Sequence, residues 1–538
     1  MPILIRNIPL GLDEPEERLV ERAAQRLRVP VRAIRTWGIL RRSLDARGKP
    51  NVVFVYNIGV ALAETAAREE ALVRRLGRQD VAMLRPAEAV DVQPGTEALR
   101  HRPVVVGFGP AGMFAALLLA EYGYRPVVLE RGQPILQRHR DVYQHFYREG
   151  RFNPESNLLY GEGGAGTYSD GKLYSRIGDA RTEKVYAELY EAGADAKILT
   201  DGKPHIGSDR LPTVCARIRE KIERLGGQVE FGARVSDLVR GEDGRIARSV
   251  LADGRQMETD VVILATGHSA RDVYELLRAR GIELQAKPFQ MGVRIQHPQA
   301  MVDRWQYGTL AGHPKLPPAE YHLVAKGAGG AMGDVFSFCM CPGGVILPAN
   351  ESEGLVVTNG ASESGRDRPF ANSALVVTVA PELFGEAPLA GVEFQREWER
   401  KAFEVSGGYA APAQRVPDFL AGRASEGTVK VDHPIGAKGA DLHGVMPKEV
   451  AAAVEKAIRL LGRTLKGFDA AEAVLAGPET RASSPVRIVR DPATRASVSA
   501  GNLYPAGEGA GYAGGITSAA VDGLRTAEAV IARFGHVV

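Results

Sequence analysis

Residues 104–130 read VVVGFGPAGMFAALLLAEYGYRPVVLE, and the fold turns on this stretch. Val104, Val105 and Val106 form an apolar run suited to a buried parallel strand. Gly107, Gly109 and Gly112 follow as G-x-G-x-x-G, with Pro110 and Ala111 inside the motif, and open a helical pattern over 113–121. Each glycine answers a different physical need. The first permits a tight turn, the second lets a pyrophosphate approach the backbone, and the third lets helix and strand pack closely. The helix N-terminus then faces the phosphate charge. A second apolar strand over 126–129 ends in Glu130, 18 residues beyond Gly112. A carboxylate there accepts from a free ribose 2′-hydroxyl and repels a 2′-phosphate. Strand, glycines, helix, strand and terminal acid in this order predict a dinucleotide-binding βαβ unit for FAD or NAD, and not for NADP.

The chain has 538 residues, room for roughly two to four domains that each bury a core. With 44% hydrophobic and 25% charged residues it has the composition of a soluble globular protein. A formal net charge of +3 is small for this length, so bulk charge does not argue for nucleic-acid or membrane binding. Cys215, Cys339 and Cys341 are too few for a disulfide framework and suit a reducing compartment. The start, MPILIRNIPLGLDEPEE, turns acidic before an apolar core of signal length accumulates. The most apolar long window overlaps the glycine motif and is interrupted by Gly109, Pro110, Gly112 and Glu121, whereas a bilayer span needs about 20 mostly apolar residues. The expectation is a cytoplasmic protein without a membrane partner.

Ahead of the glycine motif, residues 2–7, 36–40 and 51–56 read as strands, and 16–27 and 61–76 have helical periodicity. This β-α-β-β-α order predicts an N-terminal ferredoxin-like α+β domain over 1–95, closed by the linker DVQPG at 91–95. Arg41, Arg42 and Arg47 cluster beside Ser43 and Asp45, placed on the connection between two strands. They read as a solvated loop or an inter-domain ion pair, with an RNA or protein docking face as the alternative. Residues 1–100 hold 17 Lys and Arg against 13 Asp and Glu, a modest basic excess.

The nucleotide-binding domain is expected to begin over 96–280. Within it, GEGGAGTYSDGKLYSRI at 161–177 is too polar for a core and too rich in glycine for regular structure. It predicts a loop against the ligand, with Gly163, Gly164, Gly166 and Thr167 as contacts. Residues 211–226 form an amphipathic helical pattern, 228–231 a strand, and 260–264 a buried strand running into Ala265-Thr266-Gly267. From 281 to 490 short β-like runs dominate, at 292–295, 335–340, 344–347, 355–358 and 374–379, with a helical segment near 448–462. This reads as an inserted, strand-rich substrate domain. Residues 491–538 return to strand, glycine-rich loop and helix, completing an α/β, Rossmann-type fold.

The C-terminal return discriminates between the two dinucleotides. It reads NLYPAGEGAGYAGGITSAAVDGLRTAEAVI, with Gly507-Glu508-Gly509 after a short strand and Gly514-Gly515 before a helix starting at Ile516. A plain NAD domain has no use for a second glycine–acid–glycine element so distant. A flavin does, because its ribityl chain and ring extend past the first βαβ unit and call for hydroxyl acceptors and another helix N-terminus. The order GFGPAG, Glu130-Arg131, ATG at 265–267 and AGEG at 506–509 resembles the FAD superfamily that includes glutathione reductase and the aromatic hydroxylases. The resemblance implies that Val235 contacts the adenine through its backbone, that Ala265, Thr266 and Gly267 lie near the nucleotide, and that Glu508 bonds the ribityl chain. Longer motifs sharpen it: GEGGAGTYSDGKLYSRI, HIGSDRL (205–211), GVRIQHPQ (292–299), FCMCPGG (338–344), ETRASSPVRI (479–488) and RRSLDAR (41–47) resemble a bacterial group of uncharacterised FAD-dependent dehydrogenases. That resemblance implies non-covalent FAD and does not imply a substrate.

Candidate chemistry is sparse. Cys339 and Cys341, at i and i+2, share a strand face, with a Cα separation of about 6.5–7 Å at the edge of disulfide reach. They read as two packed thiols, as a redox or substrate-contacting pair given a bend from Pro342-Gly343-Gly344, or, least of all, as metal ligands. No metal site is expected. Arg294 and His297 are candidate contacts for an anionic substrate or the flavin, against a structural hydrogen-bonded pair. Lys172 is a candidate near the flavin N5 or the pyrophosphate, and Arg481 and Arg487 are placed at the border of the active site. GAGGAMG at 327–333 has no strand of the right kind before it and no acid-terminated strand after it, so no second nucleotide domain is expected. NADH or NADPH is then a transient reductant, or electrons arrive from a protein donor. The expected function is a FAD-dependent oxidoreductase acting on an unidentified small molecule. The rivals are an RNA-modifying flavoprotein and a flavin redox sensor or electron-transfer protein.

Overall fold

The computed structural model describes residues 3–49, 51–84, 90–175 and 177–537; Pro2 of the first expected strand and Arg176 of the 161–177 loop lie outside the described residues. The valine run forms the strand Val104–Val106, with all three side chains buried. It pairs in parallel with Val127–Leu129 on one side and Val262–Leu264 on the other. Leu503–Pro505 and Gln228–Glu230 add the two edges of a five-stranded parallel sheet. Such strands are covered on both faces, which is why they read as unbroken apolar runs. Val105, Val128 and Ile263 face one core, shared with the helices Pro110–Glu121, Leu211–Arg224 and Ile516–Arg533. Val104, Val127 and Val262 face the other, shared with Val235–Arg240 and Arg271–Ala279. Each fully buried side chain of this kind contributes about 1.5–3 kcal/mol.

The helix after the glycine turn begins at Pro110, earlier than its apolar pattern suggests, because proline suits the first helical turn. Two glycines set how closely it approaches the sheet. Gly107 has φ 97°, and a Cβ there would lie 2.5 Å from the Ala265 carbonyl oxygen. A Cβ at Gly112 would lie 2.0 Å from the carbonyl oxygen of Gly107.

The strand-rich half holds a seven-stranded sheet in the order Val324–Ala325, Val335–Cys341, Phe370–Val379, Phe289–Pro298, Val474–Glu479, Ala411–Arg415 and Ala437–Gly439. Its pairs are antiparallel except the last. The helix Lys448–Thr464 lays Val450, Val454, Ile458 and Leu461 into the same core as Phe289–Pro298. The strand expected at 355–358 instead spans Thr358–Ser362, paired with Gly344–Pro348. The helix Ala390–Ser406 was not anticipated; seven of its residues are charged, and this masks its apolar stripe.

At the N-terminus an antiparallel sheet runs in the order Ile34–Asp45, Val53–Leu62, Ile3–Gly11, Val81–Met83, with Arg18–Leu27 and Ala66–Leu76 contributing to its core. Val53–Leu62 takes up Ala61 and Leu62, whose residue types suit a helix, because both are buried against the sheet. Arg41 and Arg42 lie within a twelve-residue strand and not on a connection. Arg42 pairs with Asp201 at 3.0 Å, and its backbone amide donates to the Thr200 carbonyl at 2.7 Å. Leu12 and Val52 join the core of the strand-rich half. The segment 91–95 has no regular structure, and the Gly95 amide donates to the Ile531 carbonyl at 2.8 Å.

The glycine contact gives a direct test of the packing. Gly112→Ala overpacks the strand–helix crossing and is expected to cost about 1–3 kcal/mol, read as a lower melting temperature in thermal denaturation. An unchanged melting temperature would show that the crossing relaxes without strain.

Candidate functional site

One cavity of about 330 Å³ is lined from both the parallel sheet and the seven-stranded sheet. Gly107, Gly109, Pro110 and Ala111 form a stretch of its wall, beside Glu130 and Arg131. Val235, Ala265, Thr266 and Gly267 line it, as do Gly164, Gly166 and Lys172 from the glycine-rich loop. Gly507, Glu508, Gly515 and Ile516 enter from the C-terminal return, and Cys339 from the strand-rich half.

Four residues expected at the ligand stand behind this lining. Gly112 faces the Gly107 carbonyl. The Gly163 amide donates to the Phe108 carbonyl at 3.0 Å, and Thr167 Oγ1 donates to the Glu162 carbonyl at 2.8 Å. The Gly514 amide donates to Ser518 Oγ at 3.0 Å. They shape the wall without forming it.

Two helix N-termini reach the cavity without a side-chain cap, those of Pro110–Glu121 and Ile516–Arg533. Their first-turn amides carry partial positive charge and are free to meet ligand oxygens. Glu130 sits between the segments that build this end. It is buried, its Oε2 accepting from the Phe108 amide at 2.8 Å and its Oε1 from the amides of Gly132 and Gly161, both at 2.9 Å. A carboxylate has about four acceptor positions, so one remains for a hydroxyl in the cavity. Arg131 bonds Glu155 at 2.8 Å and Asp272 at 2.9 Å and lies over the Tyr160 ring at 4.3 Å.

The other end of the cavity is ionic. Lys172 Nζ lies 3.0 Å from Asp170 and 3.7 Å from Cys341 Sγ, and Asp170 also pairs with Arg366 at 2.9 Å. Burial opposes the charge on Asp170, yet Lys172 and Arg366 hold its carboxyl down at about 2. Glu479 lines the same end. Burial pushes its carboxyl up to about 7 against the pull of Arg294. Cys215 does not line the cavity; burial pushes its thiol up to about 12 beside Thr167.

Arg294 and His297 are corrected by the strand they share. An offset of three places them on opposite faces of Phe289–Pro298. Arg294 uses all five donors inside the protein: Nε to Glu479 at 2.6 Å, Nη1 to the Cys339 carbonyl at 3.0 Å and Asn372 at 2.9 Å, and Nη2 to Asn359 at 3.0 Å and Glu479 at 3.2 Å. It has no donor left for a substrate. His297 is fully buried, its Nε2 paired with the Phe468 carbonyl at 2.9 Å and its ring packed against Trp305 and Phe468. Burial lowers its pKa to about 4, so it is a neutral core residue. Neither lines the cavity, and neither does Cys341.

Residues outside the sequence expectation complete the site. Asp170, Tyr160, Tyr168, Asn359 and Glu479 line the cavity; Asp170 and Glu479 stood inside quoted motifs, SDGKL and ETRASSP, which was the available signal. Arg481 lines it as anticipated, held by Glu399 at 2.6 Å, whereas Arg487 does not and faces the Tyr512 ring at 5.2 Å. The segment 327–333 connects two antiparallel strands, Val324–Ala325 and Val335–Cys341, with a short 3₁₀ turn and no α-helix. Among the described residues no helix is long and apolar enough to cross a membrane.

Comparison with known proteins agrees with this geometry. Residues 101–287 match the family described as pyridine nucleotide-disulphide oxidoreductase, and 288–482 match FAD-dependent protein, C-terminal domain-like. Residues 2–61 match a domain of unknown function, DUF8436. An uncharacterized protein of Clostridium beijerinckii is 43% identical over 538 residues, covering 99% of each chain. Protein FixC of Escherichia coli K12 is 28% identical over 216 residues, 38% of this chain and 45% of FixC. Among solved structures, L-proline dehydrogenase from P. horikoshii is 12% identical with a TM-score of 0.32, covering 81% of this chain and 93% of that one. FAD is the cofactor to which the FAD-dependent match points, and the chain belongs to the same family as the uncharacterized clostridial protein, its oxidoreductase and FAD-dependent matches together spanning residues 101–482.

Proposed function

We propose that FAD lies along this cavity and that the protein passes hydride or electrons through it to a small-molecule substrate. The observation that carries the reading is the spare acceptor of Glu130 beside two uncapped helix N-termini, on a cavity that continues to Lys172 and Cys339. Bound FAD supplies transfer through its N5; the protein supplies orientation and exclusion of water. Glu130 accepts from the adenosine ribose, and the first-turn amides at Ala111 and Ile516 meet the pyrophosphate and the ring end. Glu508 takes the ribityl hydroxyls, and Lys172 holds a positive charge where the ring carries electron density. Arg131 is occupied by Glu155 and Asp272 and shapes the adenine end.

On this reading 96–280 and 491–538 form the FAD domain, 281–490 the substrate domain and 1–95 an accessory domain. The N-terminal sheet order and its β-α-β-β-α-β connectivity support a ferredoxin-like assignment for the last. The turn at 327–333 lacks the helix start of a nucleotide-binding loop, and on this reading a nicotinamide dinucleotide, where used, is a transient reductant.

Two measurements test this. Glu130→Arg places a cation where three amides converge and is expected to purify without flavin, while the wild type purifies yellow; a wild type that cannot be reconstituted with FAD would overturn the reading. In anaerobic stopped flow, flavin reduction rates should rise linearly with NADH or NADPH concentration. Saturation at micromolar levels would instead reveal a dedicated nicotinamide site.

A further inference from the structure

Two carboxylates stand at the ionic end of the cavity, and only one is fully committed. Asp170 has both oxygens occupied by cations, Oδ2 by Lys172 at 3.0 Å and Oδ1 by Arg366 at 2.9 Å. Glu479 closes the strand Val474–Glu479 and lines the cavity with its side chain almost wholly buried. Among the described residues its carboxylate bonds Arg294 alone, Nε donating to Oε2 at 2.6 Å and Nη2 to Oε1 at 3.2 Å. A carboxylate offers about four acceptor positions, so two are uncommitted. The longer bond leaves Oε1 the less engaged oxygen. Phe338, on the same wall, is 42% exposed, which brings this end of the cavity next to solvent.

The groups around Glu479 divide into donors that keep their protons and one acid that exchanges its own. Asn359 Oδ1 accepts from Arg294 at 3.0 Å and from the Gly360 amide at 2.7 Å. With its oxygen committed, Asn359 has its Nδ2 donors left for the cavity it lines. Lys172 Nζ spends two of its three donors on Asp170 and Cys341. Burial opposes the Lys172 charge, but Cys341, Cys339 and Asp170 raise its pKa, so the ammonium holds its proton. Of the elements packed against Glu479, Phe289–Pro298 brings Arg294, and Val335–Cys341 brings the Cys339 thiol. Thr358–Ser362 and Phe370–Val379 bring Asn359 and Asn372, which do not titrate, and Arg481 beyond its own strand is held by Glu399. Burial raises the Glu479 carboxyl to about 7 against Arg294, so near neutral pH both of its forms are present.

We propose that Glu479 is the general acid of this site and that the substrate class is a small molecule reducible at a polarised C=O or C=N bond. This rests on the FAD reading for its source of hydride. Asn359 Nδ2 and Lys172 Nζ donate to the substrate oxygen or nitrogen and polarise the double bond. Hydride from the reduced flavin brings an electron pair to the carbon and forms the new C–H bond, while the π pair moves onto the oxygen or nitrogen. The O–H bond of Glu479 breaks, and its proton forms the O–H or N–H bond of the product. The substrate gains two electrons, the flavin loses two, and the product is an alcohol or an amine. Negative charge develops on Glu479 as the proton leaves, and the Arg294 fork is already in place to hold it. Glu479 then regains a proton from water entering the cavity.

The test uses full-length protein loaded with FAD, reduced by stoichiometric dithionite and mixed anaerobically with one of two oxidants. 1,4-Benzoquinone takes a proton on its carbonyl oxygen as it takes electrons; ferricyanide takes electrons alone. The ratio of the two reoxidation rates cancels differences in flavin content. In the wild type it should fall as pH rises through about 7, where the acid gives up its proton. Positioned general acids contribute about 10²–10⁴-fold, so Glu479→Gln should lower the ratio by at least about tenfold below that pH and flatten its profile. Glu479→Asp, an acid one methylene shorter, should lower the ratio yet keep a pH dependence. Infrared difference spectra across the same pH range read the group without turnover. A buried carboxyl C=O band should disappear as pH rises, be missing from Glu479→Gln and persist in Cys339→Ser. A wild-type ratio independent of pH, an unchanged ratio in Glu479→Gln, or a band that survives that substitution would each overturn the proposal. Should Glu479→Gln fail to fold with Arg294 left unpaired, the wild-type profile, Glu479→Asp and the Cys339→Ser spectrum decide. Protein that shows the band but takes up no FAD removes the FAD reading and the hydride step with it. Flavin-loaded protein with a ratio indifferent to pH removes the acid alone.

Discussion

The nucleotide end of this protein is organised around the buried carboxylate of Glu130. Three backbone amides converge on it from three different places: the glycine turn at Phe108, the chain just past the second strand at Gly132, and the loop at Gly161. Charge-assisted bonds of this kind are about twice as strong as neutral ones, and here they tie the turn, the strand end and the loop into one rigid wall. Because the acid follows the strand Val127–Leu129 directly, its position is inherited from the parallel sheet. One acceptor position remains toward the cavity after the protein has used the others. Removing its charge would strand three buried donors.

A second set of buried charges joins the two halves of the cavity. Arg271 and Arg481 both pair with Glu399, at 2.8 Å and 2.6 Å, and Arg271 also meets Glu351 at 3.1 Å. Arg271 belongs to the nucleotide half, Glu399 to the helix Ala390–Ser406, and Arg481 follows the strand Val474–Glu479 into the cavity. Breaking a buried pair leaves an uncompensated charge, at a cost of about 3–5 kcal/mol, so this cluster fixes register between the halves as well as holding them. Arg294 acts in the same way deeper in the strand-rich half. Its five bonds set Glu479, Asn359 and the Cys339 carbonyl at fixed positions around the ionic end. The positions of the residues that line the cavity follow from these supports.

Local spacing made the nucleotide end legible. The glycine motif, Glu130, the ATG segment and the GEG element carry their reasons within a few residues of themselves, because turn geometry and helix entry are local properties. The ionic end was less legible, since Lys172, Asp170, Cys339 and Glu479 meet only through long-range packing. Parity explains the error at Arg294 and His297: both are polar and close in sequence, yet an odd offset in a strand sends them to opposite faces. His297 went to the aromatic core with Phe468, and Arg294 to a polar layer that consumed its donors. At Ala61 and Leu62 helical residue types sit in a strand because burial against the N-terminal sheet outweighs intrinsic preference. The register shift at Cys339 lies before Pro342-Gly343-Gly344, where Arg294 donates to the Cys339 carbonyl, a long-range contact that no local pattern reveals.

The account stands most directly on where the flavin lies, and a crystal structure of the FAD complex measures it. The account predicts a ribose hydroxyl on Glu130 Oε2, the pyrophosphate over the start of Pro110–Glu121, and the ring at the end bounded by Lys172 and Cys339. A flavin whose ring lay away from Lys172 and Cys339, or whose ribose made no bond to Glu130, would contradict it.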